Sequence, residues 1–141
     1  MKKLLCAVFL LLFVAGCSTR TSQKGSTASS SETKLSITAS PRQGFEPLRV
    51  TFRGLLEVAD PNDKELYCLQ EEWDFGDGAK STEKPNCDPH SADTKIKTEF
   101  FTEHVYEKYG NYTVKLTLGD KKIRSRGIAI VILERNTGPI N

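Results

Sequence analysis

Apolar and polar residues alternate along most of this chain after residue 33. Successive side chains of a β-strand point to opposite faces, so a period of two predicts strands with one buried face and one face in water. No helical period competes with it in this part of the chain. The pattern predicts an all-β sandwich with strands at 35–39, 48–53, 69–75, 94–106 (one or two strands), 112–118 and 123–133.

The run Ile128-Ala129-Ile130-Val131-Ile132-Leu133 is the exception to the alternation, because all of its residues are apolar. Its composition alone would allow a helix. Its β-branched residues and its short length favour a strand instead. We expect this strand to be covered on both faces.

The N-terminus has the order of a signal peptide, with Lys2 and Lys3 before an apolar segment at 4–15. A helix of that length spans about 18 Å, well short of the roughly 30 Å hydrocarbon layer of a membrane. The following Gly16-Cys17 completes Val14-Ala15-Gly16-Cys17, which resembles the lipobox of bacterial lipoproteins. The resemblance implies cleavage before Cys17 and lipidation of Cys17. A soluble secreted protein, cleaved elsewhere, is the alternative.

The composition then divides the remaining chain into two parts. Residues 18–32 carry no aromatic or large aliphatic side chain, and such a stretch cannot bury enough apolar surface to offset the entropy of ordering. We therefore predict a signal peptide at 1–16, a lipidated cysteine with a flexible tether at 17–33, and one domain at 34–141.

Two motifs within that domain resemble the polycystic kidney disease (PKD) domain. The first is Trp73-Asp74-Phe75-Gly76-Asp77-Gly78, and the second contains His104, Tyr106, Gly110 and Tyr112 and continues into an alternating strand. The resemblance extends over residues 34–134. It implies an immunoglobulin-like β-sandwich that serves protein or glycan contacts.

The resemblance also suggests structural roles. Trp73 takes the place of the strand tryptophan at the centre of immunoglobulin-like domains, with Phe75 beside it. A sugar-stacking role for Trp73 is the alternative. Tyr112 occupies the position of a tyrosine corner, and Val114 stands where antibody domains have a cysteine, so their inter-sheet disulfide is absent.

Cys68 and Cys87 are the two cysteines beyond Cys17. In an exported protein we expect them to form a disulfide, which would stabilise the domain by about 3 kcal/mol. If Trp73 points inward, an unbroken strand turns Cys68 outward, so the bridge would join this strand to the loop at 85–93. The alternative is a zinc site formed by both cysteines with His90 and His104.

Carboxylates near the motifs are candidates for chemistry. Asp74 and Asp77 could serve catalysis, but Asp beside Gly more commonly caps turn amides, and His104 lacks a nucleophile or a second acid. Asp60, Asn62 and Asp63 offer oxygen ligands for calcium, without the spacing of an EF-hand. We therefore predict no catalytic residues, no cofactor and no committed metal site.

The charge balance gives no reason to expect a nucleic acid partner. The chain has 20 Lys and Arg against 18 Asp and Glu, and loss of Lys2 and Lys3 with the signal peptide would bring the net charge to zero. A local basic stripe of Lys122, Arg124 and Arg126 could meet an anionic group. Its alternative is a solvated strand face that discourages edge pairing.

An aromatic pair gives a second candidate surface, since neighbours on a strand face opposite sides. We place Phe100 inward and Phe101 outward, where Phe101 could anchor a partner. Packing of a loop over Phe101 is the alternative.

These features predict a lipid-anchored, non-catalytic binding module at the bacterial cell envelope. Ser18 after the lipidated cysteine resembles outer-membrane sorting, with the domain in the periplasm or on the cell surface. The partner would be an envelope protein or a polysaccharide. The alternatives are a structural accessory of an envelope assembly and, less favoured, a carbohydrate-active enzyme.

Overall fold

The alternating segments form the strands of the structure, a computed structural model that describes residues 32–91, 93–120, 123–136 and 138. Within these residues there is one short 3₁₀ helix, Lys64–Leu66. The strands are β1 (Lys34–Ser40), β2 (Gln43–Phe45), β3 (Leu48–Glu57), β4 (Glu71–Asp74), β5 (Lys80–Glu83), β6 (Glu99–Tyr106), β7 (Gly110–Leu118), β8 (Ile123–Arg124) and β9 (Ile128–Leu133).

Two sheets pack face to face. The first has the order β1-β3-β6, and the second has the order β2-β9-β7-β4-β5, with β8 also paired to β7. All pairs are antiparallel except β2 with β9, which is parallel. The chain crosses from one sheet to the other between β1 and β2. The predicted all-β, immunoglobulin-like β-sandwich is confirmed.

The core lies between the inward faces of the two sheets. Trp73 of β4 is 1% exposed and lies beside Phe52 of β3, with 6.0 Å between the ring centroids. Val114, at the position of the antibody cysteine, is fully buried. The other largest buried side chains come from β3, β6, β7 and β9: Val50, Leu56, Phe100, Tyr106, Leu116, Leu118 and Ile130.

Several observed strands differ from those that the alternation predicts. Gly44 and Pro47 predict a turn where β2 forms, so the sequence pattern does not predict this strand. β5 (Lys80–Glu83) contains no apolar residue, so the alternation does not predict it either. The strand expected at 69–75 is limited to Glu71–Asp74, and the strand expected within 94–106 begins only at Glu99.

The strand expected at 123–133 is interrupted at 125–127. There Ser125 pairs with Leu116: its Oγ accepts the Leu116 amide at 2.9 Å, and its own amide donates to the Leu116 carbonyl at 2.9 Å. The expectation that 128–133 is covered on both faces is wrong. Ile130 and Ile132 are buried, but Ala129 is exposed, because only one face of β9 meets the other sheet.

The predicted signal peptide, Cys17 and most of the predicted tether lie outside the described residues, as do Lys122 and the last residues of the domain. Where the structure is described, no helix is long and apolar enough to span a membrane.

Candidate functional site

The Gly-Asp-Gly motif forms the turn between β4 and β5. Asp74 Oδ1 accepts the amide of Gly76 at 3.0 Å, and Asp77 Oδ1 accepts the amide of Ala79 at 3.0 Å. Gly76 and Gly78 have φ angles of +83° and +96°, which favour glycine. Both aspartates therefore hold the turn through their side chains.

His104 of β6 ties this turn to the other sheet. Its Nε2 donates to Asp77 Oδ2 at 2.7 Å. The imidazole stacks on the Phe75 ring at 4.1 Å and meets Tyr106 edge-on at 4.7 Å. Burial raises the pKa of the Asp77 carboxyl, but the hydrogen bonds with His104 and the Ala79 amide outweigh it and lower that pKa. The pair stabilises ionised Asp77, and both of its carboxylate oxygens accept hydrogen bonds within the domain.

Two tyrosines of the second motif fix neighbouring backbone. The Tyr106 hydroxyl donates to the Phe75 carbonyl at 2.9 Å, and burial raises the pKa of Tyr106. The Tyr112 hydroxyl donates to the Lys108 carbonyl at 3.0 Å, which is the geometry of a tyrosine corner. The ring of Tyr112 stacks on that of Tyr106 at 4.7 Å. Together these residues join the β4–β5 turn to β6 and β7.

Glu71 is a buried charge that the sequence analysis missed. It is 3% exposed, its Oε2 accepts the indole Nε1–H of Trp73 at 3.3 Å, and its Oε1 lies 2.8 Å from Lys97 Nζ. Lys97 also lies 5.0 Å from the centre of the Phe100 ring. Glu71 shares the parity of Trp73 and Phe75, so the alternation contained the signal that it points inward.

The predicted disulfide between Cys68 and Cys87 is confirmed. The parity argument for Cys68 is wrong, because this residue precedes β4 and has a φ of +56°. The bridge joins the turn before β4 to the loop after β5, where the Tyr67 hydroxyl also donates to the Asp88 carbonyl at 2.7 Å. Cysteines in a disulfide cannot bind zinc as thiolates, so the zinc alternative is also wrong.

The calcium candidates hold their own loop together. Asp60 Oδ1 accepts the amide of Asn62 at 2.8 Å, and Asp63 Oδ1 accepts the amide of Glu65 at 2.9 Å. In the described part of the chain, no three His, Cys, Asp or Glu side chains converge on a possible metal position.

Phe100 is 1% exposed and Phe101 is 58% exposed, the arrangement expected from the alternation. Phe101 lies on the outer face of the β1-β3-β6 sheet, opposite Arg53 in the β3–β6 pair. Arg53 binds Glu99 at 2.6 Å on one side of the ring. On the other side, a second ion pair joins Arg49 to Glu103 at 3.1 Å. An aromatic ring between two ion pairs is therefore open to a partner.

The basic residues lie elsewhere. Arg124 ends β8, Arg126 follows it in the interruption, and both are exposed, while Lys122 lies outside the described residues. The strand is interrupted at 125–127, so the predicted basic stripe on one continuous strand does not extend to Arg126. Arg124 and Arg126 lie beside β1, whereas Phe101 lies on β6 at the opposite edge of the same sheet. They form two separate surfaces.

Comparison with known proteins shows where these motifs occur. The sequence matches the PKD domain family over residues 34–126. Its structure is similar to the PKD domain of an M14-like peptidase from Thermoplasmatales archaeon SCGC AB-540-F20. The identity is 15%, the TM-score is 0.49, and the alignment covers 72% of this chain and 97% of the other. No curated protein matches the sequence. Every motif residue from Trp73 to Tyr112 lies within the range matched by the family.

Proposed function

The chain belongs to the PKD domain family, and from this premise we propose that it is a membrane-anchored lipoprotein that presents a non-catalytic binding module at the bacterial cell envelope. Its partner is an envelope protein or a polysaccharide. Lipidation of Cys17 attaches the protein to the membrane, and the tether at 17–33 separates the domain from it.

The contacts made by the residues with catalytic potential support a non-catalytic module. Asp74 and Asp77 accept turn amides, and His104 donates to Asp77 while stacked on Phe75. A general acid or base must reach a substrate proton, and these groups are already engaged with one another and with the backbone.

The exposed ring of Phe101 is the observation that carries the binding function. Large exposed aromatic side chains are enriched where proteins bind partners. The flanking ion pairs, Arg53–Glu99 and Arg49–Glu103, are exposed and contribute little to stability, at most about 1 kcal/mol each. Their charges are placed to orient a partner around the ring.

Replacement of Phe101 by serine is expected to abolish partner capture and to leave the melting temperature within a few degrees of wild type. The physical reason is that the ring is exposed and packs little in the folded domain. The measurement is pull-down from an envelope extract, with a polysaccharide array in parallel, using the full chain. Tyr109→Ser is the matched control, because Tyr109 is 60% exposed in the loop between β6 and β7. Equal capture by both variants, or unfolding of Phe101→Ser, would contradict the proposal.

Replacement of Cys17 by serine is expected to move the protein from the membrane fraction to the soluble fraction. Two or three acyl chains on one residue anchor a protein stably, and serine removes the thiol that would accept the thioether. The measurements are palmitate labelling and membrane fractionation. Cys6→Ser is the matched control, since Cys6 lies within the predicted signal peptide and is absent from the processed protein. Palmitate incorporation into Cys17→Ser at the wild-type level would refute the anchor.

A further inference from the structure

A groove of about 750 Å³ separates β1 from the segment that joins β8 to β9. Its volume is within the range of about 300–1,000 Å³ that is common for ligand sites. Four aliphatic residues that pack on the edge of the core line it: Leu35, Ile37, Ile123 and Ile128. The groove is therefore an opening between the two sheets at one side of the sandwich.

The groove follows the edge of β1. It is lined by every residue from 32 to 37, although neighbouring side chains in a strand point to opposite faces. A surface that touches both sets of side chains must run along the strand's edge. In the described part of the chain, β1 pairs only with β3, so this edge has no partner.

The hydrogen-bonding pattern shows which backbone groups face the groove. The Leu56 amide of β3 donates to Thr98 at 2.8 Å, on the side of β6. Backbone groups alternate in direction along a strand, so those of Leu55 face β1, and Ser36 is its hydrogen-bonded partner. The N–H and C=O groups of Leu35 and Ile37 consequently point away from β3 and towards the groove.

The opposite side of the groove, formed by residues 123–128, also lacks a neighbouring strand. β2 pairs with β9 only from Val131 to Leu133, and the Ala129 carbonyl accepts the Arg42 guanidinium at 3.4 Å. Before Ala129, the described residues 123–128 have a strand on the β7 side alone.

The side of the groove formed by residues 123–128 carries an unbalanced positive charge. Arg124 and Arg126 are exposed and form no ion pair with any of the described residues. On the side formed by β1, Lys34 lies directly opposite Glu57 in the β1–β3 pair, and Glu32 adds one further carboxylate. The two guanidiniums therefore favour a ligand with carboxylates along one side.

We propose that an extended, acidic segment of a partner protein binds in this groove as an added strand on the free edge of β1. Its backbone pairs with Leu35 and Ile37, and alternate apolar side chains enter between Ile37, Ile123 and Ile128. Its carboxylates bind Arg124 and Arg126. The inference rests on the proposed binding function and assigns it a surface other than that of Phe101.

The test measures binding of a fluorescein-labelled heptapeptide of alternating valine and glutamate to the full chain by fluorescence anisotropy. A strand of that length extends over about 20 Å, enough to follow residues 32–37. We expect R124E/R126E to weaken binding by about tenfold or more. The matched control K84E/K108E changes the net charge by the same amount at exposed lysines outside the groove and should bind as wild type.

Two further probes separate strand addition from charge attraction. The same peptide with N-methyl groups on one alternate set of amides should lose binding, whereas methylation of the other set should be tolerated, because only one edge faces β1. A peptide of alternating valine and lysine should bind at least about tenfold more weakly.

The inference is overturned if the acidic peptide does not bind, if both N-methylated forms bind as the parent does, or if K84E/K108E weakens binding as much as R124E/R126E. Displacement by an acidic polysaccharide, with no effect of N-methylation, would assign the groove to glycans and also overturn it. Phe101→Ser should bind the peptide as wild type does. If the peptide does not bind but partner capture still depends on Phe101, this inference alone is wrong. If the peptide does not bind and partner capture does not depend on Phe101, the proposed function is wrong as well.

Discussion

Replacement of Trp73 by alanine is expected to lower the free energy of unfolding by about 3–5 kcal/mol, the range for truncation of a buried aromatic residue. The indole is 1% exposed and packs against Phe52 across the sandwich. Its loss leaves a cavity between the sheets and removes the donor to Glu71 Oε2, so a buried carboxylate loses one of its two partners. Domains have a total stability of about 5–15 kcal/mol, so much of the variant should be unfolded at 37 °C.

The measurement for Trp73 is denaturant unfolding followed by far-UV circular dichroism, since Trp73 is the sole tryptophan and its fluorescence is lost in the variant. Trp73→Phe is the control. It keeps a large ring but no N–H, and should cost clearly less than the alanine variant. A Trp73→Ala protein that melts like wild type but fails to bind a glycan would instead support the sugar-stacking role.

Replacement of Gly76 by alanine is expected to cost about 2–4 kcal/mol, from backbone strain together with a steric conflict. Gly76 has a φ of +83°, in the region that residues with a side chain rarely adopt. A Cβ there would lie 2.6 Å from the carbonyl oxygen and 2.7 Å from the amide nitrogen of Thr113. Those atoms belong to the backbone of β7, so the turn would have to move away from the sheet.

Gly78→Ala is the matched control for Gly76. Its φ of +96° imposes a similar backbone strain, but a Cβ there would have no atom within 4 Å. We expect it to cost about 1 kcal/mol. The difference between the two variants in thermal and denaturant unfolding isolates the approach of the turn to β7. Equal losses of stability would show that strain alone explains Gly76.

Part of the candidate site follows from the sequence because it depends on parity and local turn chemistry. Phe100 and Phe101 are neighbours, so a strand must place them on opposite faces, whatever the sheet. Asp74 and Asp77 each accept the amide of the residue two positions later, a contact that requires no distant partner. The bond between His104 and Asp77 joins β6 of one sheet to the β4–β5 turn of the other, and only the packing of the sandwich brings it about.

The sequence pattern mispredicts an element where a partner that is distant in the chain determines the conformation of the backbone. β5 contains Lys80, Ser81, Thr82 and Glu83, and it becomes a strand because β4 supplies its hydrogen bonds. Cys68 leaves the predicted strand because the chain turns before Glu71 to reach the disulfide with Cys87. Alternation cannot report either event, since it records burial of side chains and not the pairing of backbones.

The sequence by itself determined the all-β class, the two motifs and the inward position of Trp73, because side-chain alternation and turn residues act over a few positions. The tertiary structure decided which edges remain open. The separation of Phe101 from Arg124 and Arg126, and the groove beside β1, follow from strand order. Strand order is set by contacts between residues far apart in the chain, whose energies depend on how two sheet faces fit together.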